Sequence, residues 1–242
     1  MHPADLWNFA DPAGSEQRFR KMADAAQGAE RDVWLTQVGR ALGLQERFDE
    51  GHAVLDGLLP DGSPEVAVRL LLERGRLHRS AGDPGRARPL FEEAAELAAR
   101  SALEELQVDA LHMVALVLPA EAQLDAHYAA LAVCNAAGDI RARDWRASLL
   151  NNIGMAYADA GDWGAALAAF EDALEAREAT GGPDRVRVAR WMVAWALRNL
   201  GSTAQALEIQ RALKAELDAI GEDDPYVDEE LALLSPGGSA GR

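Results

Sequence analysis

The strongest constraint on the fold of this chain is a pattern of small and aromatic residues that recurs along it. Between residues 148 and 174, the positions of this pattern are Gly154, Tyr157, Gly161, Ala166 and Phe170. A 34-residue window over this segment spans 147–180, and the same register fits, less closely, four more windows: 32–65, 68–101, 107–140 and 187–220. Self-similarity at a fixed period indicates a repeat protein, in which each unit buries its apolar face against the next.

The five windows begin 36 to 40 residues apart and match the pattern to different degrees. Window 68–101 is the second best, with Gly75 and Phe91 at corresponding positions, whereas window 187–220 has polar Gln210 in place of the aromatic residue. Window 107–140 is the weakest, because Leu118-Pro119 would break its first helix. A non-repeating helical bundle is the alternative interpretation, but helix pairs at a regular spacing favour a stacked array.

The segment 148–174 closely resembles a tetratricopeptide repeat, and the resemblance extends over about residues 32–220. It implies an all-α fold, a right-handed superhelical solenoid of about five antiparallel helix pairs. In such a repeat, Gly154 and Ala166 would let two helices pack closely, and Tyr157 and Phe170 would fill the space between helices. Gly161 would end the first helix of the pair.

Both flanks of the array predict a capping helix. Asp11-Pro12 is a helix-start signal within an N-terminal segment, 1–31, and Phe19 and Met22 give that helix an apolar stripe. Asp224-Pro225 opens a second signal, so residues 221–242 are predicted to form a short acidic helix followed by a flexible tail. Such helices would cover the apolar faces at the two ends of the array, 32–220.

Composition and charge exclude several function classes. Forty acidic residues against twenty-four Lys and Arg give a formal net charge of −16, which opposes nucleic-acid binding. Cys134 is the only cysteine, so an internal disulfide and a cysteine-based zinc site are both excluded. The apolar stretches are too short to span a bilayer, and the start lacks the pattern of a secretory signal. We therefore expect a soluble cytoplasmic protein without membrane partners.

The sequence offers no constellation of catalytic or metal-binding residues. Five histidines are scattered over different repeats, and no two of them stand at metal-ligand spacing on one helix. There is no phosphate-binding glycine loop, nucleophile elbow or zinc-protease motif. We expect a protein that is not an enzyme and that needs no cofactor, because catalysis must be argued from a site.

The resemblance also implies a binding surface, because in this family the first helices of successive repeats line a concave groove. Guanidinium groups suit carboxylates, asparagines can pair with an extended backbone, and tryptophans can hold an apolar anchor. The residues so implied for peptide binding are Arg40, Arg69, Arg76, His112, Asn151, Asn152, Trp191, Trp195 and Arg198.

Purely structural roles are the alternatives for these residues. Arg69 and Arg76 stand four and three residues from Glu73 and could form surface ion pairs with it, which contribute little. Asn151 and Asn152 could lie on a solvated helix face. One of the two tryptophans could pack in the core.

The sequence therefore predicts a non-catalytic interaction scaffold or adaptor that binds an acidic or extended peptide segment of another protein. A self-assembling homo-oligomer and a peptide-sensing regulator that acts through a separate partner are the alternatives. The acidic residues between 222 and 230 raise a further hypothesis, since this segment could occupy the groove of its own or another molecule.

Overall fold

The computed structural model describes residues 1–58 and 62–235, in which every regular element is a helix. The chain divides into two compact units, Met1–Arg143 and Asp144–Arg242, called here the first and the second unit. The predicted flexible tail from residue 236 onward lies outside the described residues. The all-α class is confirmed.

The first unit opens with a short 3₁₀ helix, Pro3–Leu6, and continues through eight α-helices. Each long helix packs against the next in the chain, and the helices α2, α4 and α6 also contact one another in succession. The α-helices are α1 (Pro12–Ala25), α2 (Gly28–Leu44), α3 (Phe48–Asp56), α4 (Pro64–Ser80), α5 (Pro84–Arg100), α6 (Glu104–Ala115), α7 (Ala120–Ala136) and α8 (Ile140–Arg143).

The second unit repeats the same arrangement with two helix pairs and a final helix. Its elements are α9 (Arg146–Asp159), α10 (Trp163–Thr180), α11 (Pro183–Asn199), α12 (Thr203–Ile220) and α13 (Pro225–Leu234). Gly161, between α9 and α10, adopts a φ of 78°, so it ends the first helix in the left-handed region, as the sequence predicts.

Each of the five sequence windows contains most of one helix pair: α2 with α3, α4 with α5, α6 with α7, α9 with α10, and α11 with α12. The predicted arrangement of stacked helix pairs is confirmed within each unit. In the weakest window, α6 ends at Ala115 and Pro119 immediately precedes α7, so the proline starts the second helix of the pair. The boundaries 1–31, 32–220 and 221–242 stay a prediction.

Two helix pairs are closed by a glycine on the first helix that faces a phenylalanine on the second. A Cβ atom added to Gly75 or Gly154 would lie 2.4 Å from the ring of Phe91 or Phe170, respectively. Both rings are fully buried, and both pairs have the same separation of sixteen residues along the chain. The absence of a side chain on the glycine is therefore what lets the two helix axes approach this closely.

The flanking helices cover the ends of the helical array. Asp11 caps α1 through a hydrogen bond from the Gly14 N–H to its carboxylate, and Phe19 of α1 packs in a cluster with Trp34 of α2. At the other end, Val227 of α13 packs against buried leucines of α12. Both helices therefore remove apolar surface from water, which a repeat array requires at its ends.

Substituting Gly154 by alanine is expected to destabilise the second unit. The new methyl group would collide with the buried Phe170 ring, and overpacking of this kind costs about 1–3 kcal/mol, more than the roughly 1 kcal/mol gained in helix propensity. Urea denaturation followed by circular dichroism measures the change. Gly164→Ala in the adjacent helix is the control, since its Cβ would meet only the Asp162 carboxylate at 3.7 Å; equal midpoints for both variants would contradict the packing argument.

Replacing Gln210 by leucine is expected to stabilise the chain. The Gln210 side chain is fully buried in α12, and neither of its amide atoms has a hydrogen-bond partner among the described residues. Burying an unsatisfied amide costs about 1–3 kcal/mol, so an apolar side chain of similar size should raise the free energy of unfolding. Gln37→Leu is the contrasting variant, because the buried Gln37 carbonyl accepts from Trp7 Nε1 at 2.9 Å. Gln37→Leu should lower the urea midpoint. If Gln210→Leu lowers it as well, the Gln210 amide is not an unsatisfied group, and the prediction is wrong.

Candidate peptide-binding site

The first helices of the first unit carry a buried group of three charges that links α4 to α6. Arg76 donates from Nη1 to Glu73 on its own helix at 2.6 Å and from Nη2 to Asp109 on α6. The two acids are only 2% and 6% exposed. Burial tends to raise the pKa of Asp109, but the guanidinium groups of Arg76 and Arg40 outweigh it, so this pKa is lowered. Both carboxylates need Arg76, because a buried carboxylate without a partner is costly.

Arg40, on α2, is held by aromatic rings instead of carboxylates. Its guanidinium carbon lies 5.3 Å from the ring centroid of Trp7 and 5.4 Å from that of Phe9. Those two rings stack on each other at 4.9 Å with an angle of 3° between their planes. Burial and the nearby charge of Arg76 lower the pKa of Arg40. Within residues 1–58 and 62–235, no carboxylate comes within ion-pair distance of this guanidinium.

Arg69 and His112 complete the predicted residues of the first unit. Arg69 is 7% exposed and pairs with Glu65 at 2.9 Å, so the expected pair with Glu73 is not the one that forms. The His112 ring lies 6.1 Å from the ring of His127 on α7. Burial, opposed by Asp109, lowers the pKa of His112 to about 4. His112 is therefore neutral at physiological pH.

The N-terminal arm, which we define as residues 2–9, lies across these helices. His2 Nε2 is 3.0 Å from a carboxylate oxygen of Glu105 on α6. Asp5 pairs with Arg141 of α8 at 3.2 Å, and Trp7 Nε1 donates to Gln37 of α2. Sequence reasoning missed this arrangement, since it assigned residues 1–31 only a capping role. The contacts join residues up to 136 positions apart, and no local pattern predicts them.

The second unit places its predicted tryptophans in an aromatic cluster. Trp191 and Trp195 stack on each other at 6.0 Å, with 15° between their planes. Trp195 also meets Trp163 of α10 edge-on at 4.8 Å, and Trp191 meets Tyr226 of α13 edge-on at 6.1 Å. Both tryptophans are half-buried and belong to the core clusters of the second unit. The core role that the sequence allowed for one of them thus applies to both.

Arg198 is already paired within its own chain. Its Nε and Nη2 donate to the two carboxylate oxygens of Glu230 at 2.7 and 2.9 Å, and Glu230 is 4% exposed. Glu230 lies on α13, so one acid of the C-terminal segment does meet a predicted groove residue of the same molecule. Asn151 and Asn152 stand next to each other on α9, and both are partly exposed.

The arginines are less available than the sequence suggests. Acids of this chain pair with Arg69, Arg76 and Arg198, whereas Arg40 has no ion pair with a carboxylate in residues 1–58 and 62–235. Across the part of the chain that the structure describes, no three His, Cys, Asp or Glu side chains group as a metal ion would require. None of the described helices is both long and apolar enough to cross a membrane.

Comparison with known proteins agrees with this geometry. The family model of the tetratricopeptide repeat matches residues 145–220, which contain α9 to α12. Residues 145–220 therefore contain tetratricopeptide repeats. The sequence matches no curated protein significantly.

Several solved structures share the fold of this chain at low identity. BtubC (BKLC) from P. vanneervenii aligns with a TM-score of 0.65 and 16% identity, over 100% of this chain and 98% of its own. A STAND ATPase with a tetratricopeptide repeat sensor from Pyrococcus horikoshii has a TM-score of 0.70 and 9% identity, over 91% of this chain and 33% of its own. The apo quorum sensor NprR from B. thuringiensis has a TM-score of 0.63 and 15% identity, over 94% of this chain and 64% of its own.

Acidification is expected to destabilise this protein partly through His112. The pKa of His112 is about 4 in the folded chain and about 6.5 when unfolded, so between these values only the unfolded state binds the proton. Stability should fall as pH drops through this window, by at most about 3 kcal/mol, since one pKa unit corresponds to about 1.4 kcal/mol. Urea midpoints of the wild type and His112→Gln should converge as pH falls from neutral towards 4. Identical pH dependence in both proteins would show that His112 does not contribute.

Proposed function

We propose that this chain is a non-catalytic interaction protein that binds a peptide segment of a partner across α2, α6 and α8 of the first unit. The observation that carries the proposal is the position of the N-terminal arm. Its side chains contact α2 through Gln37 and Arg40, α6 through Glu105, and α8 through Arg141. A surface that already holds a polypeptide segment with these contacts has the shape and the polar groups that a peptide ligand needs.

Arg40 is the central residue of the proposed site. An arginine can stack on aromatic rings and can also donate to a carboxylate, and among the residues that the structure describes Arg40 does only the first. A partner segment that replaces the arm would therefore be acidic, aromatic or both. Arg76 has a different part in the proposal, because its two carboxylate partners fix α4 against α6 and thereby hold the binding surface in shape.

The comparisons support the class of ligand. NprR has been solved in complex with its cognate peptide NprX, and that structure aligns with this chain at a TM-score of 0.54, with 14% identity over 94% of this chain and 66% of NprR. The tetratricopeptide repeat is in general an interaction scaffold, which agrees with a non-catalytic role. In the second unit, Asn151, Asn152 and the exposed parts of Trp191 and Trp195 are proposed as a second peptide-contacting surface. Cytoplasmic location and homo-oligomer formation stay predictions.

Reversing the charge of Arg40 is expected to weaken peptide binding. Short random peptides displayed on phage would be selected on the full chain, and the affinities of the selected peptides measured by calorimetry. Arg40→Glu should reduce affinity by about tenfold or more, because a hydrogen bond to a charged group contributes about 1.5–3 kcal/mol and 1.4 kcal/mol is tenfold.

The control for this measurement is Arg86→Glu. This substitution makes the same change of charge at a residue of α5 whose side chain is 75% exposed. The affinity for the selected peptides should therefore be unaffected. A library that yields no binder, or binders that are equally insensitive to both substitutions, would remove Arg40 and the first unit from the proposal.

A further inference from the structure

The N-terminal arm makes its contacts in a definite order along its sequence. An acidic residue, Asp5, faces Arg141, and two aromatic residues at the next alternate positions, Trp7 and Phe9, cover Arg40. The base of the arm is fixed, because the Asn8 N–H donates to Ser15 Oγ, which in turn donates to the Asn8 carbonyl. These hydrogen bonds set the register in which Asp5 and Trp7 reach the surface.

Two of the contacts that hold the arm are weak. The Asp5 and Arg141 side chains are 49% and 38% exposed, and a surface ion pair of this kind contributes about 0–1 kcal/mol. Phe9 is 57% exposed although it stacks on Trp7. Trp7 is the main anchor, since its ring meets the buried Phe19 ring edge-on at 4.9 Å. The arm is also tethered to α1, which gives it a high effective concentration at this surface.

The residues under the arm would be left without partners if the arm departed. Arg40 would lose both rings, the Gln37 carbonyl would lose the Trp7 indole donor, and Arg141 would lose its carboxylate. A ligand that restores all three contacts needs a carboxylate, an indole-like donor and a second ring in the same order. The arm is thus a template for the chemistry of the partner.

We infer that the N-terminal arm is a built-in competitor at the proposed peptide site, and that the partner presents a segment with an acidic residue followed by two aromatic residues at alternate positions. This inference rests on the proposed function and names its ligand. Molecules whose arm lies on the site cannot bind the partner, so the apparent affinity equals the intrinsic affinity multiplied by the fraction of open molecules, those whose arm has left the site. If about one molecule in ten is open, weakening the arm raises the apparent affinity about tenfold.

The test uses a labelled synthetic peptide with the sequence of residues 1–10, titrated into the full chain and followed by fluorescence anisotropy. The peptide should bind the double variant Trp7→Ala with Phe9→Ala about tenfold or more tightly than the wild type. Asp5→Arg should also raise the affinity for the peptide, by a few-fold. This second variant keeps the contact of Trp7 with Phe19, so it still tests the inference if the double variant does not fold. Ala4→Ser, at an exposed position of the arm, is the control and should bind like the wild type.

Two further measurements decide whether the peptide occupies the site of the arm. Arg40→Glu added to the double variant should abolish the gain, and a peptide with Asp5→Ala and Trp7→Ala should not bind any variant. Equal affinity of the peptide for the wild type and for both arm variants would overturn the inference; the proposed function would survive if library peptides still depend on Arg40. Dimers in light scattering that disappear with Trp7→Ala would also overturn it, in favour of arm exchange between two copies.

Discussion

The close contact between a glycine and a buried phenylalanine ring inside a helix pair is the interaction on which the rest of this structure depends. It brings α4 against α5 and α9 against α10 without space for even a methyl group between Gly154 and Phe170. In the first unit, α4 also contacts α2 and α6. Both of these helices belong to the proposed binding surface, so the shape of that surface depends on the packing of α4 against α5.

Two arginines join separate helices through buried carboxylates. Arg76 reaches Asp109 in the next first helix, 33 residues away, and Arg198 reaches Glu230 in α13, 32 residues away. In both cases a cation joins neighbouring repeats through carboxylates that are almost fully buried. With forty acids against twenty-four Lys and Arg in the chain, cations are the scarcer partner, and two of the four predicted arginines, Arg76 and Arg198, have this role. Arg40 differs because its neighbours are rings.

The sequence predicted the helices better than it predicted their contacts. Helix starts at Asp11-Pro12 and Asp224-Pro225 and the helix end at Gly161 depend on local backbone chemistry, so a short stretch of sequence is enough to find them. Whether Arg69 pairs with Glu65 or Glu73 depends on the side-chain geometry of the packed helix, because both acids lie four residues away. The pair that forms is with Glu65, whereas the sequence suggested Glu73. The pair of Asp5 with Arg141 joins distant segments, so it could be found only from the folded chain. For the candidate site, the sequence predicted which helices carry the residues, but it did not predict which arginines form ion pairs within the chain.

The N-terminal arm has a consequence for how rigid the first unit is. By contacting α2, α6 and α8 at once, the arm connects helices that lie far apart along the chain. Binding and bracing are then thermodynamically coupled, and the coupling is reciprocal: whatever stiffens the arm against these helices opposes the incoming segment by the same free energy. When a partner's segment replaces the arm, the contacts that connect α2 with α8 change, although these helices are about one hundred residues apart in sequence.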